Sequence, residues 1–423
     1  MATFLQAVFY LTAIIGGGYF VLRRRRFDFF TVGFASGLVY FLPGFFGFVR
    51  SSRDFSLPEP ILPATYAVFI AVLLFILAGA LVFDQFAVRE RSTPSKTISS
   101  LWTTETAAAL AAIGLVATIA TSGDVLFSVN KAAVVESTGR WHVLFRFASV
   151  YLLIFAILRR NSVMAIAGTG FLMFDLYVGF RVGFVIAVIA AATLYLNAFG
   201  EQSLLRSQRR NLVLGTLLVG IVFIYKQVYT LVKLGLWDLI VDRLTDPNIL
   251  LLALLTSEPF GTQSILNEVI RTNFVTSAEH LASTASLLVP FSNMLGAEIQ
   301  SFNDLFQHRL FGGVVRGGMA NNIWAQMYSI GGWFGIGIAA STYTALLALG
   351  SWLLNVKRGS ILALVALAFT FIAFYIHRND VAFTLTLIRR AIMIWMVIIL
   401  PGMLVADIRR WVRLPYRATG QMP

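Results

Sequence analysis

The chain has no cysteine. That excludes disulfides, iron–sulfur clusters and cysteine nucleophiles, and it leaves four histidines as nitrogen ligands for a metal. Charge is scarce as well: Asp, Glu, Lys and Arg are 13% of the 423 residues, against about 25% in soluble domains. No His-Glu-x-x-His, Asp-x-Asp or Gly-x-Ser-x-Gly pattern occurs. A zinc protease, a metal-dependent nucleotide-sugar transferase and a serine hydrolase all lose support. A Walker motif is missing too, which disfavours an ATP-driven pump. No signal-peptide cleavage site is evident, so the first apolar segment is expected to be retained.

What fills the sequence instead is apolar. Hydrophobic residues are 58% and mean hydropathy is +0.79. Window after window is long and apolar enough for a spanning helix, and the alternating segments of about ten residues that mark a β-barrel do not recur. The expected fold is all-α, a polytopic membrane helix bundle forming a single integral membrane domain over residues 1–423. About eleven transmembrane helices are expected, at 3–22, 29–49, 63–85, 104–121, 143–158, 162–178, 182–199, 212–234, 328–354, 359–376 and 391–406.

The net charge of +13 follows this topology and needs no nucleic-acid partner. Arg23 to Arg26, Arg89, Arg91, Lys96, Arg159, Arg160, Arg206, Arg209, Arg210, Lys357, Arg358, Arg409, Arg410, Arg413 and Arg417 fall on one side. They are eighteen of the 33 basic residues, with only six acids among them. The positive-inside rule makes that side cytoplasmic. The N-terminus and the long segment 235–322 are then outside. That segment holds eight acids, four Arg, two His and no Lys. Its apolar stretches ILLLALL (249–255) and ASLLVPF (285–291) are too short to span and are expected to form interfacial helices.

Candidate chemistry collects on the outer side. Arg181 sits between two apolar runs, where lipid tolerates a guanidinium only beside a polar partner. It is read either as a bidentate phosphate ligand or as the ion-pair partner of Asp175. Lys226, within a predicted span, either snorkels, pairs with an acid or meets substrate. Glu279 and His280 are adjacent, and either can act as a general base; the alternative is a charged pair on an exposed helix. Near the loop's end lie Asp304, His308, Arg309, Arg316, Asn321 and Asn322. The pairs Gly312-Gly313 and Gly317-Gly318 allow close backbone approach to phosphate, and Gly331-x-x-x-Gly335 reads as a packing face. His377-Arg378-Asn379-Asp380 and Arg389-Arg390 put cations where the topology disfavours them, so an anion is expected there, a lipid headgroup or a diphosphate.

Three segments carry a resemblance. VGFRVGFVIAVIAAA, with Gly179 and Arg181, GGMANNIWAQMYSIGGWFGIG, with Asn322, and HRNDVAFTLTLIRR, where Asn379 replaces a Gly, are similar to segments of the O-antigen polymerase family. That family in turn resembles the O-antigen ligases. The resemblance implies a polyprenyl-diphosphate-linked glycan as donor and a sugar hydroxyl of a second lipid-linked repeat unit as acceptor. It further implies a bacterial inner membrane, an active site facing the periplasm, no metal or other cofactor, membrane lipids as surroundings and a polysaccharide chain-length regulator as a possible partner. Cationic ligands would neutralise the leaving diphosphate; Arg181, Arg271, Arg309, Arg316, Asn322, Arg378, Asp380 and Arg389 are the candidate substrate ligands. Glu279, His280, Asp304 and His308 are the candidate catalytic bases. A ligase uses the same donor site, and a transporter of lipid-linked sugar remains the alternative from another class.

Overall fold

A computed structural model describes residues 1–54, 57–86, 103–201, 203–249, 256–288, 301–312 and 320–417, parts of Arg209–Leu234 and Val381–Arg417 by backbone only. The described chain is almost wholly helical; its only sheet is an antiparallel ribbon pairing Phe48–Arg50 with Pro58–Pro60. Among the described residues, seven helices are long and apolar enough to cross a bilayer: Ala2–Leu22, Pro63–Phe86, Thr103–Phe127, Arg140–Arg159, Ile323–Val356, Gly359–Arg378 and Val381–Pro401. Phe29–Tyr40, Ser162–Val178 and Val182–Asn197 are apolar but shorter. The protein is an all-α, multi-pass membrane bundle.

Contacts divide the chain into two compact units. One comprises Met1–Arg91, Thr193–Asn355 and Phe369–Arg389; the other comprises Ser92–Ala192, Val356–Ala368 and Arg390–Pro423.

In the first unit, the helix expected over 29–49 stops at Tyr40. Asp28 opens it by accepting the Thr31 N–H. Pro43 then starts a separate turn, and Gly47, at φ +83°, ends that turn and feeds the ribbon. Proline has no N–H to continue the ladder, and glycine adopts a positive φ without strain. Arg25 locks the region: its guanidinium is buried between Asp28 at 3.0 Å and Asp84 at 3.1 Å.

The segment 235–322 is more than a surface loop. It contains Glu258–Thr272, a helix with Pro259 in its first turn and a face of buried polar side chains. Asn267 fastens that helix to the ribbon's exit: its Oδ1 accepts the Leu62 N–H and the Thr65 hydroxyl, both at 2.9 Å, and its Nδ2 donates to the Pro60 carbonyl. Phe260 packs on Phe46 and Phe48. Ile323–Val356 is two helices joined at Gly331 and Gly332, the latter at φ +54° and ψ −134°. A Cβ on Gly335 would lie 2.1 Å from the Met327 carbonyl oxygen. Gly335 therefore serves the close return of its own chain, which differs from the expected packing face between helices.

In the second unit, Thr103–Ser122, Arg140–Arg159 and Ser162–Val178 pack through small residues. A Cβ on Gly114 would lie 2.6 Å from the Phe145 nitrogen, and one on Gly168 would lie 3.1 Å from the Leu153 nitrogen. Such approaches are how apolar helices gain contact where no water drives them together.

Candidate functional site

In the first unit, residues between Phe274 and Ser283 and between Asp304 and Arg309 line an open cleft of about 820 Å³. Its size falls in the range of small-molecule sites. Glu279, His280 and Ser283 line it from one helix, Asp304, Leu305 and Arg309 from another. The four residues Glu279, His280, Asp304 and Arg309, all candidates from sequence, are brought together here.

Each wall has a local cause. Asn273, in the left-handed region at φ +49°, ends the Glu258–Thr272 helix. The extended stretch that follows is pinned by the Thr276 N–H to the Ser329 carbonyl at 2.9 Å and by a 2.7 Å contact between the two hydroxyls. Ser277 then accepts the Glu279 N–H, starting the helix Glu279–Ala285. Arg389 supports the end of this wall, its Nη1 donating to the Leu287 carbonyl. On the opposite wall, Ser301 and Asp304 form a reciprocal capping box. Such a box satisfies two backbone donors at the start of a helix. Asp304 thus spends one carboxylate oxygen on its own helix and lines the cavity as well.

His280 differs from its neighbours. Its Nε2 is buried, with no hydrogen-bond partner among the described residues. Burial lowers its pKa below the ordinary 6.5, and the nearby Asp380 carboxylate opposes that fall. A neutral imidazole with an unused nitrogen is the state a proton acceptor needs. Arg309 supplies positive charge to the same space, and no acid pairs with it among the described residues.

Asp380 is a brace. It is fully buried; Oδ2 accepts the Phe302 N–H at 2.9 Å and Oδ1 the Phe383 N–H at 2.7 Å. One carboxylate thereby caps the last helix and holds the helix that carries Asp304 and Arg309. Burial raises its pKa; the two N–H groups and His280 pull it back.

Other candidates have different employment. Asn322 is fully buried; its Oδ1 caps the Trp324 and Ala325 N–H groups, and its Nδ2 donates to the Thr262 carbonyl and to Gln263. Arg271 forks onto Glu268 at 2.6 and 2.8 Å, and that hydrogen bonding raises its pKa. Arg378 pairs with Glu258 and lies over the Tyr375 ring. His308 is exposed and is not among the residues lining the cavity. Arg316 and the Lys226 side chain lie outside the described residues.

Arg181 belongs to the second unit, half-buried ahead of the helix Val182–Asn197. Asp175 does not pair with it. The Asp175 partners are His142 at 2.7 Å and Arg146 at 3.0 Å. The Arg146 guanidinium rests 4.7 Å above the Phe180 ring. Gly179, at φ +113°, lets the chain turn back, and a Cβ on Gly183 would meet Arg146 at 2.8 Å and Asp175 at 3.1 Å. His142 and Arg146 were not singled out from sequence, although their spacing of four residues puts them on one helix face.

Among the described residues, no three His, Asp or Glu side chains group as a metal site. Compared with protein-family models, curated proteins and solved structures, the chain matches none.

Proposed function

We propose that this protein is a membrane glycosyltransferase that polymerises lipid-linked oligosaccharide repeat units, and that the cavity at His280 is its active site. The single observation that carries the reading is that His280, whose Nε2 has no hydrogen-bond partner among the described residues, and Arg309, which has no acid partner among them, line one cleft of ligand size on a membrane bundle. In the proposed step a sugar hydroxyl of the acceptor attacks the anomeric carbon of the donor. The new C–O bond forms as the bond from that carbon to the diphosphate oxygen breaks. The hydroxyl proton passes to His280, and the diphosphate leaves with its negative charge facing Arg309. Electrostatic stabilisation of a leaving anion is commonly the largest catalytic contribution. Arg316 remains a proposed ligand of the lipid diphosphate. The orientation proposed from charge puts the cavity on the outer face of a bacterial cytoplasmic membrane, with eleven spans and a chain-length regulator as partner.

The test is reconstitution of the purified protein in liposomes with labelled polyprenyl-diphosphate-linked repeat units and nothing else. A ladder of products is expected. Transfer only on addition of a lipid–core oligosaccharide would mean a ligase. Movement of the label across the bilayer without new glycosidic bonds would mean a transporter, and either outcome overturns the reading.

A further inference from the structure

The long helix Arg209–Leu234 ends at Gly235, which takes φ +68°, with the Gly235 and Leu236 N–H groups returning to the Val232 and Leu231 carbonyls. Within two residues a second helix starts, Trp237–Thr245. Four of its five apolar residues recur at i, i+3, i+4 and i+7, Trp237, Ile240, Val241 and Leu244; the fifth, Leu239, lies off that line and is 49% exposed. The spacing of the four makes one stripe. Ile240 is buried, whereas Trp237 is 65% exposed, Val241 60% and Leu244 46%. Asp238 and Asp242 share the other side with Leu239 and Arg243.

We propose that Trp237–Thr245 lies flat in the bilayer surface, its stripe sunk at the boundary between headgroups and acyl chains. Three observations select lipid as the occupant. The helix is joined by a two-residue corner to an apolar helix, and that corner exposes Leu234 and Leu236 as well. Trp is the side chain enriched at membrane interfaces, and charges on the opposite side of an in-plane helix stay in water. The four exposed apolar side chains of this helix also fall short of the roughly 800 Å² per partner that a stable protein interface buries. The acids on the polar side argue that apolar burial, rather than attraction to anionic lipid, drives the contact. The helix would fix the start of the 235–322 segment at the membrane surface, whatever reaction the protein performs.

The absence of cysteine makes the test clean. The full-length variants Val241→Cys, Leu244→Cys and Asp242→Cys are each labelled with an environment-sensitive fluorophore and reconstituted in phosphatidylcholine vesicles. Labels at 241 and 244 should emit as in an apolar medium. Lipids brominated just below the headgroup should quench them more strongly than lipids brominated near the acyl end, since in-plane helices sit about 5–10 Å deep. The label at 242 should emit as in water and be quenched at least about twofold less. Water-like emission at 241 and 244 overturns the proposal. Apolar emission there without bromolipid quenching overturns it too, because protein would then cover the stripe.

Discussion

The polar clusters around Asp175 and around His280 are built from the same side-chain types and differ in what their hydrogen-bonding atoms meet. At Asp175 both carboxylate oxygens are occupied, one by His142 and the other by Arg146, and the guanidinium face lies against Phe180. Gly183 closes the space, leaving no room for even a methyl group. At His280 the Nε2 has no partner and Arg309 has no acid among the described residues, and an open cleft separates the walls. The difference teaches where to look for chemistry. A buried charge with all partners in place serves the fold, because removing one partner strands the other. A donor or acceptor kept without a partner costs stability, and one that lines a cleft is where a ligand can supply the missing contact.

The contrast breaks most visibly at its closed end. Asp175→Ala leaves Arg146, 18% exposed at its side chain, without a counter-charge. Stranding a buried ion in this way costs about 3–5 kcal/mol, so the variant should melt far below wild type in detergent or fail to accumulate. Asp175→Asn, which keeps a hydrogen-bonding oxygen, should lose less. If Asp175→Ala melts like wild type, the cluster is not closed and its groups are available to a ligand. His280→Gln is the counterpart at the open end. Loss of a general base lowers rates by about 10²–10⁴, so ladder formation should vanish while the melting temperature stays near wild type. A fully active His280→Gln variant would remove the proposed proton acceptor.

The sequence exposed these two clusters to different degrees. Apolar runs place helices well because period and length are local properties, and each expected span coincides with helix over most of its length. The misplaced end of 29–49 was also written locally, in Pro43 and Gly47, and was missed because the apolar run continues through them. Glu279, His280, Asp304 and Arg309 were found by residue type and by crowding within one segment. The partners of Asp175 lie 33 and 29 residues away along the chain, and pairings at that range leave no trace in a single sequence. Arg271 with Glu268, by contrast, is an i,i+3 pair on one helix, legible in principle and passed over in favour of a ligand role. Asp380 looked like a site residue because it stands among cations; only the Phe302 N–H against it reveals a brace.

A smaller effect sharpens the boundary between brace and site. Asn322→Ala removes a cap from the helix that begins at Ile323. Caps are worth about 0.5–2 kcal/mol, so the melting temperature should fall measurably. Asn322 does not line the cavity, so the rate per folded molecule should change little. A variant with normal melting but no polymerisation would return Asn322 to the role of substrate ligand.

The smallest expected effect is one of pH, because a single titrating group changes a rate by at most about tenfold per unit. His280 must be neutral to take a proton, and burial holds its pKa below 6.5. The rate of ladder formation should therefore be flat above pH 6.5 and decline as pH falls through the lowered value. Stability should move in the same direction. Between the lowered folded value and 6.5 the unfolded chain binds more protons at this histidine, so acidification favours unfolding and the contribution is complete only above 6.5. Asp380 supplies the opposing, raising influence, so Asp380→Asn should carry the acid limb further down in pH, apart from any loss of the two N–H contacts. Nuclear magnetic resonance of the four histidines can follow His280 directly, without an activity assay. An acid limb centred above 6.5, or one unmoved in a folded Asp380→Asn variant, would show that a different group takes the proton.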